Sequence, residues 1–110
     1  MESVQNFDVF DRIEYTIIRD LSQVQNEGTE AGHPMQEDVW VHISNMVEEA
    51  YQEALQIFRT LRDSPKRQEY ADYLVQHEDE ITESIDATLY VSEEDQVNTA
   101  KTEMLKWLQM

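Results

Sequence analysis

Between Glu37 and Arg62 the chain runs 26 residues without a glycine or a proline. No other stretch constrains the fold as strongly. At 100° per residue, Val39, Trp40, Ile43, Met46, Val47, Ala50, Tyr51, Ala54, Ile57, Phe58 and Leu61 share an arc of about 140°. Glu37, Asp38, Glu48, Glu49, Gln52, Glu53 and Gln56 take the opposite side. The spacing predicts a helix roughly 39 Å long, at 1.5 Å per residue. An apolar stripe of that length is not buried by an isolated helix, so the flanking segments must pack against it.

Those segments also read as helices. Asn6 is placed to cap a first helix over Phe7 to Val24, whose stripe is Phe10, Ile13, Ile17, Leu21 and Val24, with Arg12 and Arg19 opposite. Gln25 to Gln36 holds Gly28, Gly32 and Pro34 in a polar run and reads as a loop. It lacks the Gly-Lys-Ser/Thr ending of a phosphate-binding loop. Ser64-Pro65 reads as the start of the next helix, and Arg59, Arg62, Lys66 and Arg67 make one basic corner. From Gln68 to Val91, Tyr70, Leu74, Ile81, Ile85 and Leu89 share a face, with Glu69, Asp72, Asp79, Glu80, Glu83 and Asp86 opposite. Glu78 points with the apolar set, and burying an unpaired carboxylate is costly, so a break is expected near His77 to Asp79. Thr88 to Val91 is β-prone, but has no second strand to pair with. Ser92 opens a last helix with Val97, Ala100, Met104 and Leu108 on its inner face. The expected fold is all-α: four or five helices in one compact domain, residues 1–110, around a long central helix.

Charge sets this chain apart. It carries 24 Asp and Glu against 8 Lys and Arg, a net −16 at pH 7. Such self-repulsion works against a compact state, so a fold that keeps it needs a compensating use. Direct binding to nucleic acid or to an anionic membrane is disfavoured, because phosphates would be repelled. No apolar run approaches the roughly 20 residues that span a bilayer. There is no cysteine, and the first residues have neither the basic flank nor the apolar run of a signal peptide. A cytoplasmic protein is expected.

No catalytic motif stands out, and neither a cofactor nor a metal is expected. Di-iron bundles need Glu-x-x-His on two helices, yet the one match, Glu30 to His33, lies in the Gly/Pro loop. Helical nucleotide pyrophosphatases of the MazG type hold Mg²⁺ between Glu-x-x-Glu and Glu-x-x-Asp strings on facing helices. Here Glu80 to Glu83 and Glu83 to Asp86 overlap on a single helix, whereas a hard cation needs carboxylates converging from two sides.

The carboxylates themselves are the remaining candidates. Residues 69 to 95 hold ten acids and no Lys or Arg. On a helix, residues three or four apart lie about 5–6 Å from each other, comparable to successive phosphates along one strand. At one charge per ≈ 1.7 Å of duplex, 16 net charges match about 27 Å, or roughly 8 bp. The carboxylates assigned to imitate phosphates are Glu69, Asp72, Asp79, Glu80, Glu83, Asp86, Glu93, Glu94 and Asp95, with Glu48, Glu49 and Glu53 on the long helix. Val9-Phe10-Asp11 and Ile57-Phe58 are similar to stretches of the Ocr-type phage antirestriction proteins, which the chain also resembles in size, acidity and helical order. That resemblance implies a dimeric DNA mimic that occupies the groove of a restriction or other host defence enzyme. The chain departs from that family at its end: Lys106-Trp107-Leu108-Gln109-Met110 replaces an acidic tail.

The expected partner is thus a basic DNA-binding protein. The alternative is a helical adaptor or regulatory subunit, with a solubilising acidic face and an apolar patch around Tyr15, Tyr73 or Trp107. A homodimer is expected because two-fold pairing is common and would double the decoy. Its interface must avoid the acidic faces, which points to the basic corner or to Lys101, Met104, Lys106, Trp107 and Met110 on the last helix.

Overall fold

The computed structural model describes residues 8–27 and 37–108. Among them are five α-helices and no strand: α1 (Asp8–Glu27), α2 (Glu37–Arg62), α3 (Arg67–Gln76), α4 (Glu78–Ala87) and α5 (Glu94–Leu108), with a 3-10 turn over Thr88–Tyr90. The all-α expectation holds, and α2 has the bounds its periodicity predicts. Asn6, Phe7, the Gly28 to Gln36 stretch with His33, and Met110 lie outside the described residues.

The helices form a four-sided bundle. α1 packs against α2 and α4, and α5 packs against the same two helices. α2 and α4 thus face each other across one diagonal. Charged pairs give the directions. Arg12 meets Glu78 and Arg19 meets Asp86, so α1 and α4 run parallel. His42 meets Glu94 and Glu53 meets Lys101, so α2 and α5 run parallel too. Glu14 meets Arg59 and Arg62, while Gln25 reaches Glu48, which sets α1 antiparallel to α2.

The core lies where the stripes converge. Val9, Phe10, Ile13 and Ile17 of α1 meet Ile43, Val47, Ala50, Tyr51, Ala54 and Phe58 of α2. Leu74, Ile81, Ile85, Val97, Met104 and Leu108 close the other side. Each large apolar side chain buried here contributes about 1.5–3 kcal/mol. Phe10 and Phe58 pack with ring centroids 5.7 Å apart in a tilted pair. Across the diagonal, the buried Tyr51 hydroxyl donates to the Ile85 carbonyl at 2.6 Å. That carbonyl belongs to the last turn of α4, where it also accepts from the Thr88 amide.

Local departures from the sequence reading have physical causes. α1 continues to Glu27, so Gln25 to Glu27 belong to the helix rather than to the loop, and Gln25 is held there by Glu48 at 3.2 Å. Val39 is exposed rather than on the buried stripe, because the first turn of α2 overhangs the bundle. Trp40 is only half-buried, and its Nε1 has no partner. Ser64 does begin a turn, with its Oγ accepting from the Lys66 amide at 3.1 Å and its carbonyl accepting from the Arg67 amide, but α3 itself starts at Arg67.

The expected break falls at His77, whose amide is shared between the Tyr73 and Leu74 carbonyls. Its reason differs in part. Glu78 is not left unpaired, because Arg12 reaches it with two hydrogen bonds of 2.8 and 2.9 Å. The β-prone Thr88 to Tyr90 closes α4 as a 3-10 turn, and only Val91 is extended. Ahead of α5, the Gln96 side chain accepts from the Ser92 amide at 2.7 Å.

Candidate acidic interface

Twelve carboxylates were assigned to a partner surface, and the bundle sorts them by what stands next to them. α4 does this most clearly, since its turns face three ways. Ile81 and Ile85 point inward and are buried. Glu78 and Asp86 turn toward α1. Asp79, Glu80 and Glu83 face outward and are exposed.

The outward set lies open to solvent. Asp79 and Glu83 form no ion pair with a described residue, and Glu80 has only His77 at 4.0 Å. Glu93 and Asp95, at the start of α5, are exposed and unpaired among the described residues, as are Glu69 on α3 and Glu49 on α2. Other members are partly spent. Glu94 pairs with His42 at 2.7 Å, Glu53 with Lys101 at 2.9 Å, and Glu48 accepts from Gln25 and Gln52. Asp72 accepts from Gln68 at 3.1 Å.

Asp86 does not belong to the outward set. Arg19 donates to its Oδ1 at 2.8 Å and, through Nε, to Asp20 Oδ1 at 3.0 Å. One guanidinium thus serves two carboxylates from two helices. The wheel placed Arg12 and Arg19 opposite the apolar stripe of α1. In the bundle that side of α1 is the seam with α4, so two arginines from a distant segment neutralise part of the acidic run. Donating to Glu78 raises the Arg12 pKa above its ordinary value, and donating to Asp20 does the same for Arg19. Both are therefore fixed cations.

The proposed dimer surface also changes. Met104 is in the core at 1 % exposure, because α5 turns it inward with Leu105 and Leu108. Trp107 is half-buried with its ring centroid 5.2 Å from His77, which lies 4.8 Å from Tyr73. Lys106 sits 5.3 Å over the Trp107 ring and pairs with Glu103. These aromatics brace the α3–α4 break against the end of α5. The basic corner is likewise occupied in part, since Glu14 binds both Arg59 and Arg62 at 3.0 Å.

Asp20 went unassigned in the sequence reading. It is 1 % exposed, and its Oδ2 has no hydrogen-bond donor. Burial, and then the Asp86 carboxyl within hydrogen-bonding reach, push its pKa up from the ordinary carboxylate range to about 7, against the opposing effect of Arg19. The signal was available: position 20 lies seven residues after Ile13, three after Ile17 and four before Val24, on the apolar stripe itself. Tyr51 completes the surroundings from α2, and burial keeps its phenol neutral well beyond its ordinary range.

Among the described residues, no group of three or more His, Asp or Glu is arranged to hold a metal ion. No helix among them is long and apolar enough to cross a membrane. No family model matches the chain, and no curated protein or solved structure is significantly similar to it.

Proposed function

We propose that this chain is a binding protein, not an enzyme, and that it presents its outward carboxylates to the basic, nucleic-acid-binding groove of another protein and blocks it. A restriction or anti-phage defence enzyme is the target class that the Ocr-type resemblance suggests. The observation that carries the reading is the set of exposed carboxylates on α4 and at the start of α5 that no cation of the described chain neutralises. Shape adds support. The bundle is elongated, with principal extents of 52 × 21 × 20 Å, a shape that can lie along a groove. The two stretches behind the resemblance do not add to this, because Phe10 and Phe58 are core packing. A pair of copies would lengthen the decoy, through a surface that excludes the buried Met104.

A second reading, the adaptor, rests on one of the aromatics named for it. Tyr15 is 65 % exposed and Ile18 is 40 % exposed, one turn apart on α1. Such an apolar pair suits a partner contact that charge does not drive.

Capture from bacterial lysate separates the two. With wild-type protein as bait, a retained partner should be released by duplex DNA and by high salt. The Asp79→Asn, Glu80→Gln, Glu83→Gln variant should retain at least tenfold less of it, as loss of several charge contacts implies. Retention that resists DNA and the triple substitution, but is lost on Tyr15→Ala, would establish the adaptor instead.

A further inference from the structure

The α1–α4 seam holds two carboxylates and one guanidinium at close range. Arg19 binds Asp20 Oδ1 at 3.0 Å and Asp86 Oδ1 at 2.8 Å. If both acids are ionised, the trio keeps one uncompensated negative charge, and one of its carboxylates is 99 % removed from solvent. Uncompensated charge in such a place is expensive. Asp20 Oδ2 also lacks a donor. Two ionised carboxylates cannot hydrogen-bond to each other, whereas one proton between them supplies the missing donor and balances the charge.

We infer that Asp20 and Asp86 hold a single proton between them beneath Arg19, and that its loss loosens the seam between α1 and α4. The other groups facing the pair cannot take its place. From α2 comes the Tyr51 hydroxyl, whose proton is committed to the Ile85 carbonyl at 2.6 Å. After α4 comes the buried Thr88 hydroxyl, which donates to the Ser84 carbonyl at 3.0 Å. No charge from α5 is among the influences on Asp20, which come from Arg19 and Asp86. The proton has a way out, because the Asp86 side chain is 41 % exposed.

The sign follows from the raised affinity for the proton. In an unfolded chain an Asp titrates near 3.9, whereas in the fold burial and Asp86 push Asp20 to about 7. Folding therefore takes up a proton between these values. The stabilisation is fully present below the unfolded value and is lost as pH rises through the folded one. The unfolding constant then rises by up to about tenfold per pH unit within that window. The seam is a joint that holds in mild acid and slackens above neutrality, and α4 carries the outward Asp79, Glu80 and Glu83 with it. This holds whether or not those carboxylates meet a DNA-binding groove.

The test compares wild type with Asp20→Asn, whose amide donates to Asp86 at every pH. Denaturant unfolding should show the wild-type unfolding constant rising relative to the variant's by up to about a hundredfold between pH 5 and 8.5. The comparison cancels the other carboxylates. Parallel curves for the two proteins would overturn the inference. Should Asp20→Asn fail to fold, carboxyl ¹³C NMR on the wild type decides by itself. A midpoint near 7 is expected for Asp20, and one below 5 would sink the inference. Amide hydrogen exchange, corrected for intrinsic rate, should also show α4 opening faster relative to α2 at pH 8.5 than at pH 6, and an unchanged ratio would refute the loosening.

Discussion

The two edges of α4 carry the same residue types and do opposite things. Toward α1, Glu78 and Asp86 are bound by Arg12 and Arg19, and Asp20 lies buried beside them. Toward solvent, Asp79 and Glu83 meet no cation among the described residues. A carboxylate's role here is set by which helix stands opposite, not by its place in the acidic run. The seam uses its charge to hold two helices in parallel, and the outer edge leaves its charge exposed to solvent. Exposed pairs such as Arg12–Glu78 contribute only about 0.2–1 kcal/mol each. The buried member is what makes the seam costly to disturb.

Three substitutions would break or sharpen this contrast. The largest effect belongs to neither edge but to the inner face between them. Ile85→Ala removes a fully buried side chain opposite Tyr51 and should cost about 2–5 kcal/mol in denaturant unfolding. A cost under 1 kcal/mol would mean that α4 is not packed as described. Arg19→Ala comes next, at about 1–3 kcal/mol, because it strips the cation from a buried carboxylate while half of the arginine itself is solvated. Its cost should grow from pH 5 to pH 8, since Asp20, pushed up to about 7, becomes charged over that range. A cost that is flat with pH would remove the distinction between the seam and an ordinary surface pair. Last, the triple change Asp79→Asn, Glu80→Gln, Glu83→Gln should shift stability by no more than about 0.5 kcal/mol, in the stabilising direction if in any. A loss above 1.5 kcal/mol would show that the outer edge is structural too.

Much of the fold was legible in the sequence, for a specific reason. Over Glu37–Arg62 the period is unbroken and no glycine or proline competes, so local pattern and global packing agree. The break at His77 was legible as well, from a carboxylate on the wrong side of the stripe. Pairings across the bundle were not legible. Nothing near Glu78 or Asp86 in sequence announces Arg12 or Arg19, so the count of free carboxylates came out too high. Met104 shows the same limit from the other direction. Its place on the apolar face of α5 was read correctly, yet it was also offered as a surface contact, and burial decides that question only once α2 and α4 are in place. Asp20 could have been noticed as an acid on an apolar stripe. Its meaning still depended on Asp86, from another helix.

The seam has a further consequence, for the order in which the chain assembles. Its two ion pairs join residues 66 and 67 positions apart, whereas α1 and α2 are tied by pairs 23, 45 and 48 apart. Closing a longer loop costs more entropy, though only slowly with length, and contacts distant in sequence tend to form late. The α1–α2 hairpin can therefore gather its apolar stripe first, leaving α4 to dock onto a prepared surface. Asp20 would still meet water while that hairpin forms, and its desolvation is deferred until Asp86 arrives. The barrier to folding is then largely blind to the buried acid, and its cost is felt in how fast the native state comes apart.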